Sequence, residues 1–142
     1  MSKDFKIMFS TITLFTIGIF YYWFFRDATI ISAYLGISLY PKEFTFFSID
    51  WFPSFIHQFS FVIFTWLVLE RNYIKFSLFF WFFLNTFFEF GQALSSKYYG
   101  YFPKIITTYF KHGTYSHKDM LALVVASFLA YIVMYKNKRI LN

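Results

Sequence analysis

A phenylalanine-rich stretch at residues 81–92 carries three strongly polar side chains at helical spacing. Asn85 and Glu89 are four residues apart, and Gln92 follows Glu89 by three. On an α-helix these intervals place the three side chains on one narrow stripe. The opposite faces carry a set of phenylalanines that suits lipid or packed neighbours: Phe79, Phe80, Phe83, Phe87 and Phe90. A carboxylate in such apolar surroundings is costly, so we expect Glu89 to have a partner or a role.

The composition indicates that lipid is part of the surroundings of this chain. Its 142 residues are 58% hydrophobic and 29% aromatic, and only 14% are charged. One domain of this length cannot bury so much apolar surface in its own core. The absence of cysteine excludes disulfides and thiol chemistry. The net charge of +6 suits a membrane protein with basic ends near anionic headgroups, and no nucleic-acid motif accompanies it.

Four apolar runs predict an all-α fold, namely an integral membrane bundle of four transmembrane helices formed by a single domain over residues 1–142. The runs cover residues 5–25, 53–69, 74–94 and 119–135. They approach the length that crosses a hydrocarbon core of about 30 Å at about 1.5 Å per residue. The first run ends in Tyr21-Tyr22-Trp23, which is typical of an aromatic interface belt, so we expect it to be retained as a helix.

Two longer loops separate these spans, and the second one is predicted to carry a short helix on the membrane surface. Pro103 suits the first turn of that helix and Gly113 suits its exit. Its apolar side chains are expected to share one face that is shielded by lipid or by the bundle: Ile105, Ile106, Tyr109 and Phe110. By contrast, the tight polar turn at residues 70–73 predicts that the second and third spans form an antiparallel hairpin.

The distribution of basic residues predicts the orientation. Seven lie in the short segments that abut the spans, at the two termini and the hairpin turn: Lys3, Lys6, Arg71, Lys75, Lys136, Lys138 and Arg139. Six lie in the two long loops. Because charges close to the ends of spans count most, we expect both termini on the cytoplasmic side and both long loops outside.

Alternation of the four helices brings most of the polar side chains to one level of the bundle. The candidate site residues on this level are Asp50, His57, Asn85, Glu89, Gln92 and Asp119. Such a cluster predicts a polar pocket near the outer headgroups, where Glu89 and His57 form a proton-transfer pair or clamp a polar headgroup. Alternatively, Asp50 and Asp119 act as helix caps, and Asn85 and Gln92 hydrogen-bond between helices. No spacing such as HExxH predicts a metal site, and we expect no cofactor.

Several of these elements, taken in order, resemble the VanZ-like family of small bacterial membrane proteins. They are the polar helix start from Asp50 to His57, the pair Glu89-x-x-Gln92, the element Gly113-Thr114-Tyr115, and Asp119-x-x-Ala122 at the last helix. The resemblance covers roughly residues 50–130 and adds Thr114 to the candidate ligand-binding residues. It implies a multi-span protein of the bacterial cytoplasmic membrane. One family member is associated with resistance to the glycopeptide teicoplanin, but no reaction is implied.

Three functional hypotheses are compatible with the sequence. The first is an envelope protein that binds a lipid headgroup, a lipid-linked envelope precursor or an amphiphilic antibiotic. The second is a small intramembrane enzyme in which Glu89 and His57 perform acid–base chemistry on such a substrate. The third is a structural subunit, in which the polar cluster fixes helix register and the aromatic surface contacts a larger membrane-protein complex.

Overall fold

The structure, a computed structural model, describes residues 3–25 and 51–137, and these ranges contain helices and no strands. The helices are α1 (Lys3–Phe25), α2 (Phe52–Val68), α3 (Ile74–Ala93), a short 3₁₀ helix (Ser96–Tyr101), α4 (Lys104–His112) and α5 (His117–Lys136). The predicted all-α class is confirmed for the described ranges. The four predicted runs agree with α1, α2, α3 and α5 to within two residues at each end, and the predicted surface helix agrees with α4.

The helix ends follow from local sequence signals. Pro53 lies in the first turn of α2, where the missing N–H costs no helical hydrogen bond. The residue that caps this start is Trp51, one position after the Asp50 that the sequence favoured, and its side chain makes no capping hydrogen bond. Ser116 caps α5, since its hydroxyl accepts a hydrogen bond from the Lys118 backbone N–H at 3.2 Å.

The central helix of the bundle is α2, which packs against α1, α3 and α5, while α3 also packs against α5. Helix α1 runs antiparallel to α2, because Tyr21 meets Phe52 and Phe15 meets Phe61. Helix α3 also runs antiparallel to α2, whereas α5 runs parallel to it. One end of the bundle, here called the hairpin end, therefore contains the turn at residues 69–73. The opposite end, here called the loop end, contains residues 94–116.

The apolar core lies toward the hairpin end. It is formed by five buried residues of α2 and α5: Val62, Ile63, Trp66, Ala130 and Met134. Three alanines of α5, Ala122, Ala126 and Ala130, recur every four residues and are buried, so they let α5 approach its neighbours closely. Arg71 closes this end by donating a hydrogen bond to the Asn137 carbonyl at 3.1 Å and by lying over the Trp66 ring at 5.4 Å.

The exterior of the bundle is strongly apolar. On α3, the exposed positions form a single helical stripe, here called the phenylalanine stripe: Phe76, Phe79, Phe80, Phe83, Phe87 and Phe90. Further large apolar side chains are exposed on α1, α2 and α5. Within the described ranges, α5 is the one helix both long and apolar enough to cross a membrane, and shorter apolar stretches lie at Phe5–Tyr21 and Phe52–Val68. These features favour association with a membrane.

Candidate functional site

Glu89 is buried on the inward side of α3. Only 7% of the residue is exposed, while its neighbours Phe87 and Phe90 are 41% and 53% exposed on the outer side. This contrast follows from helical geometry, because residues two positions before and one position after Glu89 point about 160° and 100° away from it. The carboxyl group therefore faces the other helices of the bundle, as the stripe in the sequence predicts.

Asp119 is the second buried carboxyl group of the loop end, with 2% of the residue exposed. It lies in the first turn of α5, three residues before Ala122, and so belongs to the same inward stripe as Ala122, Ala126 and Ala130. The N-cap residue of α5 is Ser116, whereas Asp119 lies on the face of α5 that packs against the bundle. Asp119 therefore faces the interior of the bundle at the loop end.

A chain of hydrogen bonds joins α3, α2 and α5 at a level nearer the hairpin end than these carboxyl groups. The Asn85 Nδ2 donates to the Gln58 Oε1 at 2.7 Å, and the Gln58 Nε2 donates to the Ser127 Oγ at 2.8 Å. The Ser127 hydroxyl in turn donates to the Leu123 carbonyl at 2.8 Å. Both polar atoms of the Gln58 amide are thus bonded, which is what a fully buried amide requires.

These contacts fix the heights of the carboxyl groups within the bundle. Asn85 and Ser127 lie at the level of Gln58, since both bond to it. Glu89 follows Asn85 by one turn, and Asp119 precedes Ser127 by eight residues. At about 1.5 Å per residue, Glu89 lies about 6 Å and Asp119 about 12 Å closer to the loop end. The two carboxyl groups therefore belong to the outermost third of the bundle.

His57 lies on a different side of α2 from the hydrogen-bond chain. Its ring is 6.0 Å from the Phe15 ring of α1 and 5.9 Å from the Phe61 ring. Gly18 of α1 provides part of the space, because a Cβ there would lie 3.9 Å from the His57 Cδ2 and 2.8 Å from the Ile56 Cγ2. The imidazole is thus held in an aromatic environment at the interface of α1 and α2.

Gln92 and Thr114 occupy the rim of the loop end. The Gln92 side chain packs against the backbone of Gly113 so closely that a Cβ at Gly113 would overlap it. Tyr115 follows, with its ring stacked at 6.0 Å on Phe90 and its hydroxyl within 3.1 Å of the His117 Nδ1. Thr114 itself is exposed. The element at residues 113–115 therefore lies directly against the last turn of α3.

Asp50, the remaining predicted site residue, lies outside the described residues. Within the part of the chain that is described, no three His, Asp or Glu side chains are grouped as a metal site would require. Two residues with an important part in this region were not among the predicted site residues, namely Gln58 and Ser127. Gln58 is an amide side chain within an apolar run, and such a residue often forms hydrogen bonds between helices, so its position could have identified it.

Comparison with protein-family models, with characterised proteins and with solved structures finds no match for this chain. The site is therefore interpreted from its own geometry. It consists of two buried carboxyl groups at the loop end, an amide and hydroxyl chain beneath them, and a rim formed by Gln92 and residues 113–115.

Proposed function

We propose that this protein is a four-span, VanZ-like protein of the bacterial cytoplasmic membrane, with both termini cytoplasmic. Its loop end forms a polar pocket in the outer leaflet that binds a lipid headgroup, a lipid-linked envelope precursor or an amphiphilic antibiotic. The observation that carries this proposal is the burial of Glu89 and Asp119 behind an exposed phenylalanine stripe. Ionisable groups inside an apolar bundle are expensive and generally mark a functional site.

The apolar exterior supports four spans. Each of α1, α2, α3 and α5 presents large exposed apolar side chains, among them Phe9, Phe64, Phe83 and Phe128. In water this surface would drive aggregation, whereas in a bilayer it is solvated by acyl chains. Helix α3 has 20 residues, which corresponds to about 30 Å and matches a bilayer core. Its polar stripe lowers its hydropathy, but that stripe faces the other helices.

The chemistry of the pocket favours a ligand rich in hydrogen-bond donors. Carboxylates are acceptors only, and the Gln92 amide on the rim both donates and accepts. Hydroxyl groups of a sugar and ammonium groups of a headgroup or peptide supply the matching donors, and a charge-assisted hydrogen bond of this kind is about twice as strong as a neutral one. Lipid-linked glycans, amine headgroups and glycopeptide antibiotics share this chemistry.

The structural-subunit hypothesis is a second candidate, because one observation specifically favours it. The Asn85–Gln58–Ser127 chain joins side chains of three helices, which is how polar residues fix register in membrane bundles. The enzyme hypothesis needs Glu89 and His57 to act on one substrate. The aromatic surroundings of His57 next to Phe15 and Phe61 place its ring toward α1, so it acts on a headgroup only if that headgroup reaches between α1 and α2.

Substitution of Glu89 by Gln and by Ala separates a binding site from a structural cluster. Glu89→Gln keeps the size and hydrogen-bonding capacity but removes the charge, so we expect the protein to stay folded and to lose ligand binding by ten-fold or more. Glu89→Ala is expected to destabilise the fold by about 1–3 kcal/mol, because buried polar partners are then left unsatisfied. The matched control is Glu70→Gln at the exposed hairpin turn.

The measurements are thermal unfolding in gentle detergent and native mass spectrometry with two probes, a total bacterial membrane lipid extract and teicoplanin. Selective retention of a lipid or of the antibiotic by the parent protein and by Glu70→Gln, with loss in Glu89→Gln, supports the pocket. If Glu89→Gln retains both probes as well as the parent does, the pocket hypothesis is abandoned and the structural one stands.

A further inference from the structure

The segment at residues 94–118 forms a basic and aromatic surface at the loop end, here called the basic flank. It contains four lysines and no acidic residue. Its exposed side chains include Lys97, Tyr101, Lys104, Ile105, Lys111 and Lys118. Tyr101 is 84% exposed and Ile105 is 67% exposed, so large apolar groups project outward beside the positive charges.

Helix α4 packs against the side of α3. Phe110 is 1% exposed and is surrounded by the rings of Phe87, Phe88, Tyr99 and Phe102 at 5.5–6.2 Å. Gly91 allows this approach, because any Cβ at that position would overlap the Phe110 ring. The position of α4 relative to the bundle is therefore set by packing.

That position corresponds to the headgroup region of a bilayer. Gly91 lies 17 residues beyond the first residue of α3 at the hairpin end, which is about 26 Å along the helix and close to a full hydrocarbon thickness. The phenylalanine stripe continues below α4 toward the hairpin end through Phe83 and Phe79. Helix α4 thus lies where the apolar exterior of α3 ends.

The outward side of α4 combines charge with an apolar anchor. Lys104 and Lys111 are seven residues apart and so lie on one side of the helix, while Phe110 packs on α3. Ile105 is also exposed, about 100° around the helix from Lys104, and can enter the acyl boundary. Lys97 lies with its Nζ 4.8 Å from the Tyr98 ring centre. A lysine near acyl chains can lay its aliphatic side chain along apolar surface and extend its ammonium group toward lipid phosphates. The lysines of the basic flank can do the same.

From this arrangement we infer that the basic flank binds the phosphate groups of anionic phospholipids in the leaflet at the loop end. The inference rests on the proposed membrane insertion, but it concerns the exposed lysines of the flank, which are different side chains from Glu89 and Asp119 in the pocket. The charge of the flank matches an anionic bilayer, and its exposed Tyr101 and Ile105 match the interfacial layer of that bilayer. Lipid bound here surrounds the entrance to the pocket.

The test uses the full-length protein in nanodiscs of phosphatidylcholine mixed with phosphatidylglycerol. Native mass spectrometry of the released protein gives the ratio of the two retained lipids. The parent protein is expected to retain more phosphatidylglycerol than phosphatidylcholine. A triple variant is expected to bind phosphatidylglycerol with an association constant lower by about ten-fold or more, namely Lys97→Gln/Lys104→Gln/Lys111→Gln. High salt should weaken the enrichment, because surface charges are screened. The control is Lys75→Gln/Lys136→Gln, which removes two exposed lysines at the hairpin end.

The possible results separate this inference from the proposed function. A parent protein that does not enter nanodiscs overturns both. A protein that inserts, but shows the same lipid ratio with and without the three lysines, overturns the basic flank alone. An equal loss in the hairpin-end control also overturns it, because the effect is then one of total charge. Competition by inorganic phosphate would show a site for free phosphate and would likewise overturn the assignment to bilayer lipid.

Discussion

Gln58 is the residue through which three helices are joined, and it shows why burial of an amide requires two partners. Its carbonyl oxygen accepts from Asn85 of α3 and its amino group donates to Ser127 of α5. The sequence predicted that Asn85 bonds either to a ligand or between helices. The structure shows Asn85 bonded to Gln58, an interaction that spacing within one helix cannot reveal because it depends on how two helices are rotated against each other.

Ser127→Ala tests the hydrogen-bond chain at its third member. The substitution leaves the Gln58 amino group without its acceptor, so we expect a loss of about 0.6–2 kcal/mol, the usual range for hydrogen bonds between membrane helices. Thr16→Val is the matched control, because the Thr16 hydroxyl is exposed and bonds only to its own helix at Ile12. Unfolding in detergent measures both variants.

A double-mutant cycle with Asn85→Leu shows whether the chain acts as a unit. If it does, the loss in the double variant is smaller than the sum of the two single losses, because either substitution alone already breaks the chain. Additive losses would mean that the two bonds are independent and would contradict a shared role for Gln58.

At the scale of the elements, α4 illustrates what a helical pattern predicts and what it leaves open. The Pro103 and Gly113 signals located the helix, and Pro103 directly precedes its first residue. The expectation that four apolar side chains share one shielded face is only partly matched. Phe110 is buried and Ile106 and Tyr109 are partly buried, whereas Ile105 is exposed. The side that meets the bundle is chosen by the fit of Phe110 to Gly91, which lies in another helix.

Gly91→Ala is expected to loosen α4 from the bundle. Alanine favours a helix by about 1 kcal/mol over glycine, but its Cβ would overlap the Phe110 ring, and overpacking costs about 1–3 kcal/mol. We expect the cost of overpacking to exceed the gain in helix propensity, because Phe110 is enclosed by other aromatic rings. We expect lower thermal stability and faster proteolysis within residues 94–116.

Gly100→Ala is the control for this substitution, since nothing lies within 4 Å of a Cβ at that position. Combining Gly91→Ala with Phe110→Leu should recover part of the lost protection, because the smaller side chain removes the overlap. If Gly91→Ala is as stable and as resistant to protease as Gly100→Ala, the close packing of α4 on α3 is wrong.

At the scale of the whole molecule, hydropathy and turn signals were sufficient for the helical architecture, because they are local. The runs at residues 53–69 and 74–94 and the polar turn between them predicted the α2–α3 hairpin. The backbone conformation of this turn was not predicted from the sequence. Glu70 and Arg71 both adopt the left-handed conformation, at φ values of 52° and 68°. The contact of Arg71 with the end of α5 explains how this strained turn is held, and it depends on tertiary packing.

Single cysteines at Asn72 and Ser96 test the proposed topology. Both residues are exposed and they lie at opposite ends of the bundle, and the parent chain contributes no background because it has no cysteine. In intact cells, a reagent that does not cross the membrane is expected to label Ser96→Cys and to spare Asn72→Cys until the cells are opened. Equal labelling of both positions in intact cells would contradict a membrane-spanning bundle.

The order in which Gln58 acquires its partners has a consequence for how the chain is made. During synthesis α2 and α3 emerge before α5, so Asn85 can bond to Gln58 while the acceptor for the Gln58 amino group is still in the ribosome. Until α5 packs against the hairpin, the Gln58 amino group lacks the acceptor that Ser127 supplies in the finished bundle. The last helix therefore completes a hydrogen-bond chain that the α2–α3 hairpin has only half formed.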